Sequence, residues 1–97
     1  MKKFVLLTYG FEQPTPQIMA AWGDWFASSI GDKMVEHGGP AGAGRRVTKD
    51  GTTDLAFDLN AFTGYVIIAA ADLDEATAIA EACPIITSVE VYETRSM

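Results

Sequence analysis

Hydrophobic residues occur along the chain in two patterns. Some form continuous apolar runs, and others recur every three or four residues, as in an amphipathic helix. In the clearest stretch, Tyr65 to Ala71 is an apolar run whose length suits a strand covered on both faces. Asp72 and Glu75 then have the spacing of a capping box, and Pro84 stops the amphipathic helix that follows. This stretch predicts a strand, a sharp turn and a short helix, a unit that requires a sheet beside it.

The first third of the chain also predicts a strand followed by a capped helix. Lys3 to Tyr9 predicts a central strand, and Thr15 before Pro16 predicts an N-cap with proline at the first helical position. The helix is expected to run to about Lys33, although Gly31 weakens it or marks its end. The apolar residues at helical spacing are Ile18, Trp22, Trp25, Phe26 and Ile30.

The middle and end of the chain read as extended structure. Met34 to His37 predicts a short strand, and Ile85 to Glu93 predicts the last strand. Between them, Asp50-Gly51 separates two extended runs, which is a strong hairpin signal. The apolar side chains of the hairpin arms are expected to share one face: Val47, Leu55 and Phe57.

The element order is β-α-β-β-α-β with an extra hairpin. This predicts a single α+β domain over residues 1–97, ferredoxin-like, with two helices on one sheet face. The strands look apolar on both sides, so the other sheet face also requires a cover. In a chain this small, a second copy is the obvious cover, and the expected assembly is a homodimer forming a dimeric α+β barrel.

Composition narrows the function classes. The net charge of −6 argues against nucleic-acid binding, which requires a basic face. One cysteine cannot form an internal disulfide, so we expect a cytoplasmic protein. No apolar run reaches the ~18 residues of a membrane span. No zinc or calcium spacing is present, and the glycine-rich Gly38–Gly44 stretch lacks the following helix of a phosphate loop, so neither metal nor cofactor is expected.

Six short segments form a pattern that extends over most of the chain: Tyr9-Gly10, Gly39-Pro40, Gly64-Tyr65, Ala70 to Ala76, Ala82-Cys83-Pro84 and Ser88 to Val91. Together they resemble the YCII-related family, including its branch named for a D-G-P-F motif. The resemblance covers nearly the whole chain and is most specific between Gly64 and Pro84.

The resemblance implies a dimeric α+β barrel and little about activity. Some family members have been proposed as enzymes that use a His–Asp pair in the cleft between the first helix and the sheet. Counted back from Pro40, that histidine position falls on Trp22, and the acidic partner falls near Arg45. The D-G-P-F motif survives only as Asp54-Leu55-Ala56-Phe57. The resemblance therefore implies that the acid–base pair is missing here.

The only histidine, His37, is the candidate catalytic residue. Imidazole changes protonation near neutral pH and suits acid–base work. A lone histidine beside a glycine-rich loop is more often structural, and no second catalytic partner stands out in the sequence. Asp54 and Asp58 could meet His37 across the sheet.

The expected ligand-binding residues are Trp22, Trp25, Arg45 and Tyr65. The indole rings could line an aromatic pocket, although helical spacing alone also predicts core packing. Arg45 and its neighbour Arg46 could bind an anion, although two arginines on a hairpin arm are usually a solvated edge. Cys83, on the inward helix face, is expected to be a small buried hydrophobe rather than a nucleophile.

Three functions remain open at this point. The first is a cleft that binds a small apolar or aromatic organic molecule, which the arginines would suit if it were anionic. The second is an enzyme of the lyase, isomerase or hydrolase type with His37 as its acid–base group. The third is a non-catalytic structural or accessory dimerisation module. The first two predict a closed pocket that contains Trp22 and His37, and the third predicts Trp22 packed solid with His37 in solvent.

Overall fold

A computed structural model describes residues 2–95. The helices and strands, in chain order, are β1 (Lys2–Tyr9), α1 (Pro16–Asp24), β2 (Met34–Gly38), β3 (Gly44–Thr48), β4 (Gly51–Leu55), β5 (Phe62–Ala70), α2 (Leu73–Glu81) and β6 (Ser88–Glu93). Four strands form an antiparallel sheet in the order β2-β5-β1-β6, and β3 and β4 form a separate hairpin. The predicted α+β, ferredoxin-like arrangement with an extra hairpin is confirmed.

The long first helix is not uniform. The Thr15 hydroxyl accepts a hydrogen bond from the Ile18 amide at 3.2 Å, so the predicted N-cap is present. After Asp24 the chain continues as a π-helical segment, Trp25–Ile30, and then as one 3₁₀ turn. Gly31 begins the 3₁₀ turn directly after the π-helical segment, with φ of 54°, a conformation that glycine adopts readily.

The core lies between one sheet face and the helices. Phe4 and Leu6 of β1 alternate with half-buried neighbours and are fully buried, as is Ile68 on the paired strand β5. The other buried apolar side chains are Trp25, Ile30, Val66, Ala70, Ala76, Ile79, Ala80 and Cys83. Both helices therefore cover the same face of the sheet, as predicted.

The opposite sheet face is not covered within the described chain. Val5, Leu7 and Ile67 point to that side and are only half-buried. The sequence predicted central strands covered on both faces, and a single protomer covers one. Among residues 2–95, the apolar side chains of the second face therefore keep part of their surface accessible.

The capping box at the start of α2 forms with one difference from the prediction. The Asp72 carboxylate accepts from the Glu75 amide at 2.9 Å, as expected for an N-cap. The Glu75 carboxylate reaches back to the amide of Ala71 at 3.1 Å, one residue before the cap. Both bonds join Glu75, in the first turn of α2, to Ala71 and Asp72, the two residues between β5 and α2.

The hairpin register corrects one expectation. Its two-residue connection is Lys49-Asp50, and Val47 pairs with Thr52 while Leu55 pairs with Gly44. Paired residues share a face and neighbours alternate, so Val47 and Leu55 lie on opposite faces rather than on one. All residues of β3 and β4 are exposed, which leaves neither face of the hairpin packed on a core.

Candidate functional site

A cleft of about 410 Å³ lies between the first helix and the sheet. Its walls are mostly apolar and aromatic. The helix side contributes Ile18, Met19, Trp22 and Phe26, and the loop after β1 contributes Phe11 and Pro14. This position follows from the amphipathic spacing of the helix, which places its aromatic face against the ends of β1, β2 and β5.

The two tryptophans have different roles. Trp25 is 2% exposed, and its indole Nε1 donates to the carbonyl oxygen of Ile79 at 2.9 Å, which ties the π-helical segment to α2. Trp22 lines the cleft, and its ring meets that of Trp25 edge-on at 5.6 Å. Trp25 therefore supports the cleft wall from behind, and only Trp22 lies where a ligand would touch it.

His37 lines the same cleft from β2. It pairs with Val66 across the sheet, so it faces the helix side, and its ring centroid lies 5.6 Å from that of Phe26. The side chain remains exposed, so the cleft is open at this point rather than closed. Trp22 and His37 thus line one cleft, which is open where both pocket hypotheses expected a closed pocket.

Arg45 is not part of this cleft. Its Nε donates to an Asp54 carboxylate oxygen at 3.2 Å on the hairpin, where both side chains are largely exposed. An exposed ion pair of this kind contributes ~0–1 kcal/mol to stability. Arg45 and Arg46 line a second depression of about 510 Å³ at the base of the hairpin. Asp58 accepts from the Asn60 amide at 2.9 Å, so neither aspartate meets His37.

Tyr65 borders the cleft, but it pairs with Leu7, so its side chain turns to the uncovered sheet face, where its hydroxyl is already engaged. It donates to a Glu36 carboxylate oxygen at 2.8 Å. This hydrogen bond is the main cause of a raised pKa for Tyr65, with desolvation and the charge of Glu36 adding to it. The phenol is therefore held protonated, and its proton points at Glu36 rather than at a ligand.

Several lining residues were not predicted from the sequence. Thr8 and Thr63 bring two hydroxyl groups to the sheet wall of the cleft, and Glu12 brings a carboxylate. A signal for Thr8 was present, because it is a polar residue in the buried row that begins with Phe4 and Leu6. Thr63 and Glu12 lie in loop-like sequence, and their positions depend on strand pairing that the sequence does not specify.

Other kinds of site have no support in residues 2–95. No group of three or more histidine, cysteine or acidic side chains is close enough to hold a metal ion in this part of the chain. No helix among the described residues is long and apolar enough to cross a membrane. The site is thus defined by its aromatic walls and a few polar groups.

The sequence profile of the YCII-related domain matches residues 3–97, and the chain belongs to that family. No protein of curated function matches the chain in sequence. In structure it is similar to the 5-chloro-2-hydroxyhydroquinone dehydrochlorinase TftG from Burkholderia phenoliruptrix AC1100, solved in complex with 2,5-dihydroxybenzoquinone. The TM-score is 0.53 at 14% identity, covering 96% of this chain and 93% of that one. At this identity the likeness establishes the fold.

The buried thiol of Cys83 is the remaining reactive group near the core. It is a free cysteine and 6% exposed, and burial raises the pKa of the thiol to about 12. At neutral pH it therefore stays protonated, and the thiol rather than the nucleophilic thiolate is present. This matches the expectation of a small buried hydrophobe.

The raised pKa of Cys83 predicts a pH-dependent stability. Above pH 9 the thiol ionises in the unfolded chain but keeps its proton in the folded one, so the folded state loses stability as pH rises towards 12. We expect wild type to lose up to about 1.4 kcal/mol more per pH unit than Cys83→Ala. Urea unfolding from pH 8 to 11 measures this difference. Cys83→Ser should show the shallow slope of the alanine variant, and equal slopes in all three proteins would contradict the prediction.

Proposed function

We propose that the chain binds a small neutral apolar or aromatic organic molecule in the cleft between its first helix and its sheet. The observation that carries the proposal is that Trp22 and His37 line one cleft of about 410 Å³. This volume lies within the ~300–1,000 Å³ of known ligand pockets, which are typically apolar with few polar groups. The face of Trp22 offers a stacking surface for an aromatic ring.

The charge of the cleft favours a neutral ligand. Among the described residues, neither arginine nor lysine lines it, and the Glu12 carboxylate would repel an anion. Arg45, which the sequence suggested as an anion-binding group, is paired with Asp54 outside the cleft. Among the lining residues, only a protonated His37 would offer an anionic ligand a positive group.

Shortening Trp22 is expected to weaken ligand binding without unfolding the chain. We expect at least one compound in a set of small neutral aromatics to raise Tm, and Trp22→Ala to weaken its binding by about 10-fold through lost ring contact. Thermal-shift assays and NMR titration measure both effects. Leu73→Ala, which shortens an exposed side chain on α2, is the control and should bind as wild type does. If no compound stabilises the wild type, the pocket functions fail and a structural role remains.

A second candidate function is an enzyme that uses His37 for acid–base chemistry. His37 lies in the same cleft, with its ring against Phe26, where an imidazole could exchange a proton with a bound molecule. The structural relative TftG is a dehydrochlorinase, and such a reaction removes a proton and a chloride ion from the substrate. Its substrate supplies a concrete compound with which to test catalysis by this chain.

If His37 is the acid–base group, its replacement should abolish turnover while leaving binding largely intact. Wild type would release chloride from 5-chloro-2-hydroxyhydroquinone faster than buffer does, and His37→Gln would lose about 10²–10⁴-fold of that rate. A chloride electrode measures the release. Glu81→Gln, at the end of α2, is the matched control. Turnover that survives in His37→Gln would exclude this role.

We further propose that two copies of the chain pair through the uncovered sheet face. Val5, Leu7 and Ile67 on that face are half-buried, and Tyr92 is 54% exposed. A sheet face of this apolar character is normally packed on another layer. The separate hairpin supports the same conclusion, because an isolated two-stranded hairpin is marginal in water and gains from a partner surface.

A charge on the uncovered face should separate the two copies. Wild type at micromolar concentration is expected to have about twice the 10.4 kDa mass of one chain, and Ile67→Lys should have the mass of one, because it buries a charge in the interface. Size-exclusion chromatography with light scattering measures both. Ala78→Lys, on the exposed side of α2, should remain dimeric. A monomeric wild type would rule out the homodimer.

The compartment we propose is the cytoplasm. The single cysteine is free and buried, and it has no partner for a disulfide within the described chain. A reducing compartment is where such a thiol is ordinarily kept.

A further inference from the structure

Thr8 is the only buried polar or charged residue among residues 2–95, with 8% of its surface exposed. It closes the helix-facing row of β1 after Phe4 and Leu6, at the point where this row reaches the cleft. A hydroxyl in such a row requires hydrogen-bond partners, since a buried polar group without one is costly. The partners of Thr8 show what the sheet wall of the cleft can bind.

A β-bulge brings the second hydroxyl to this place. Thr8 pairs with Gly64 and Tyr9 pairs with Phe62, which leaves Thr63 as an extra residue on β5. Regular alternation would turn Thr63 to the uncovered face with Tyr65. The bulge instead places Thr63 Oγ1 3.0 Å from Thr8 Oγ1. Bulges next to binding sites commonly redirect a side chain in this way.

The glycine beside the pair leaves it uncovered. A side chain on Gly64 would place its Cβ 3.1 Å from the Gly38 carbonyl oxygen and 3.5 Å from Thr8 Oγ1. The two hydroxyl groups and Gly64 all line the cleft. A ligand can therefore approach the pair where any larger residue would crowd it.

The hydrogen atoms of the pair are used within the chain. Thr8 Oγ1 lies 3.2 Å from the Gly64 carbonyl oxygen, and Thr63 Oγ1 lies 3.2 Å from the Thr8 carbonyl oxygen. Each hydroxyl has one hydrogen, and both carbonyls can only accept. If Thr8 donates to Thr63, the Thr63 hydrogen goes to the Thr8 carbonyl oxygen, and if Thr63 donates to Thr8, the Thr8 hydrogen goes to the Gly64 carbonyl oxygen. The pair then offers only oxygen lone pairs to the cleft.

Of the other polar side chains that line the cleft, the Glu12 carboxylate only accepts, and His37 can donate from a ring nitrogen. The Thr8–Thr63 pair is therefore an acceptor site on the sheet wall of the cleft. We propose that the Thr8–Thr63 hydroxyl pair determines specificity, by selecting aromatic ligands that carry a hydrogen-bond donor such as a phenolic hydroxyl over the same ring without one. This inference rests on the proposed function, in which the cleft binds an aromatic molecule.

A matched pair of ligands tests the selection. The compounds 4-methoxyphenol and 1,4-dimethoxybenzene differ by one methyl group, which removes the only donor. We expect wild type to bind the phenol about 2- to 10-fold more tightly, the range of one net hydrogen bond, in an NMR titration. In the double variant Thr8→Val/Thr63→Val this ratio should fall to about 1. Both hydroxyls are removed together because a single substitution would leave the other hydroxyl without its hydrogen-bond partner.

Three further variants serve as controls or as a substitute for the double valine variant. The double variant Thr8→Ser/Thr63→Ser keeps both hydroxyls and should keep the ratio. Thr77→Val, which removes a hydroxyl bonded to the Leu73 carbonyl on α2, should also keep it. If the double valine variant does not fold, Thr63→Val, whose side chain is only partly buried, should lower the ratio, and an unchanged ratio there overturns the inference.

The two ligands also separate this inference from the function on which it rests. Equal affinity of wild type for both compounds overturns the selection by the threonines and leaves an aromatic-binding cleft. No detectable binding of either compound overturns the proposed function and the inference with it.

Discussion

β1 and β5 pair along their lengths at the centre of the sheet, and their shared alternation decides which side chains meet the helices. Phe4 and Leu6 lie on the same face as Val66 and Ile68, and burial of such side chains is worth about 1.5–3 kcal/mol each. The same alternation sends Val5 and Ile67 to the other face. One pairing thus creates both the core and the half-buried apolar surface on the opposite face of the sheet.

The cleft depends on this pairing at its irregular end. Along most of β1 the register is unbroken, and the side chains that face the helices are apolar and packed. Between Thr8 and Tyr9 the register shifts, and from that point the helix and sheet diverge around a cavity rather than a core. Trp25, bonded to the Ile79 carbonyl on α2, packs behind Trp22, whose ring lines this cavity.

Much of the fold could be predicted because its signals are local. The capping pair Asp72 and Glu75, the stop at Pro84 and the turn at Asp50 each act within a few residues. The family resemblance placed Trp22 at a cleft position, whereas its helical spacing alone also predicted packing in the core. The bulge at Thr63 could not be predicted, because an extra residue in one strand is defined only against the strand it pairs with. The same holds for the faces of Val47 and Leu55, which follow from the register of the hairpin.

The bulge has a consequence for how cleft chemistry can change between related chains. The bulge is one extra residue at the start of β5. If a related chain lacked this residue, the loop before β5 could adjust to the change. The rest of β5 would remain connected to α2 through the Asp72 turn. A different side chain would then face the cleft, with no change elsewhere in the core. Divergence in what the cleft accepts can therefore arise by insertion or deletion, and position-by-position comparison of residue types would not register it.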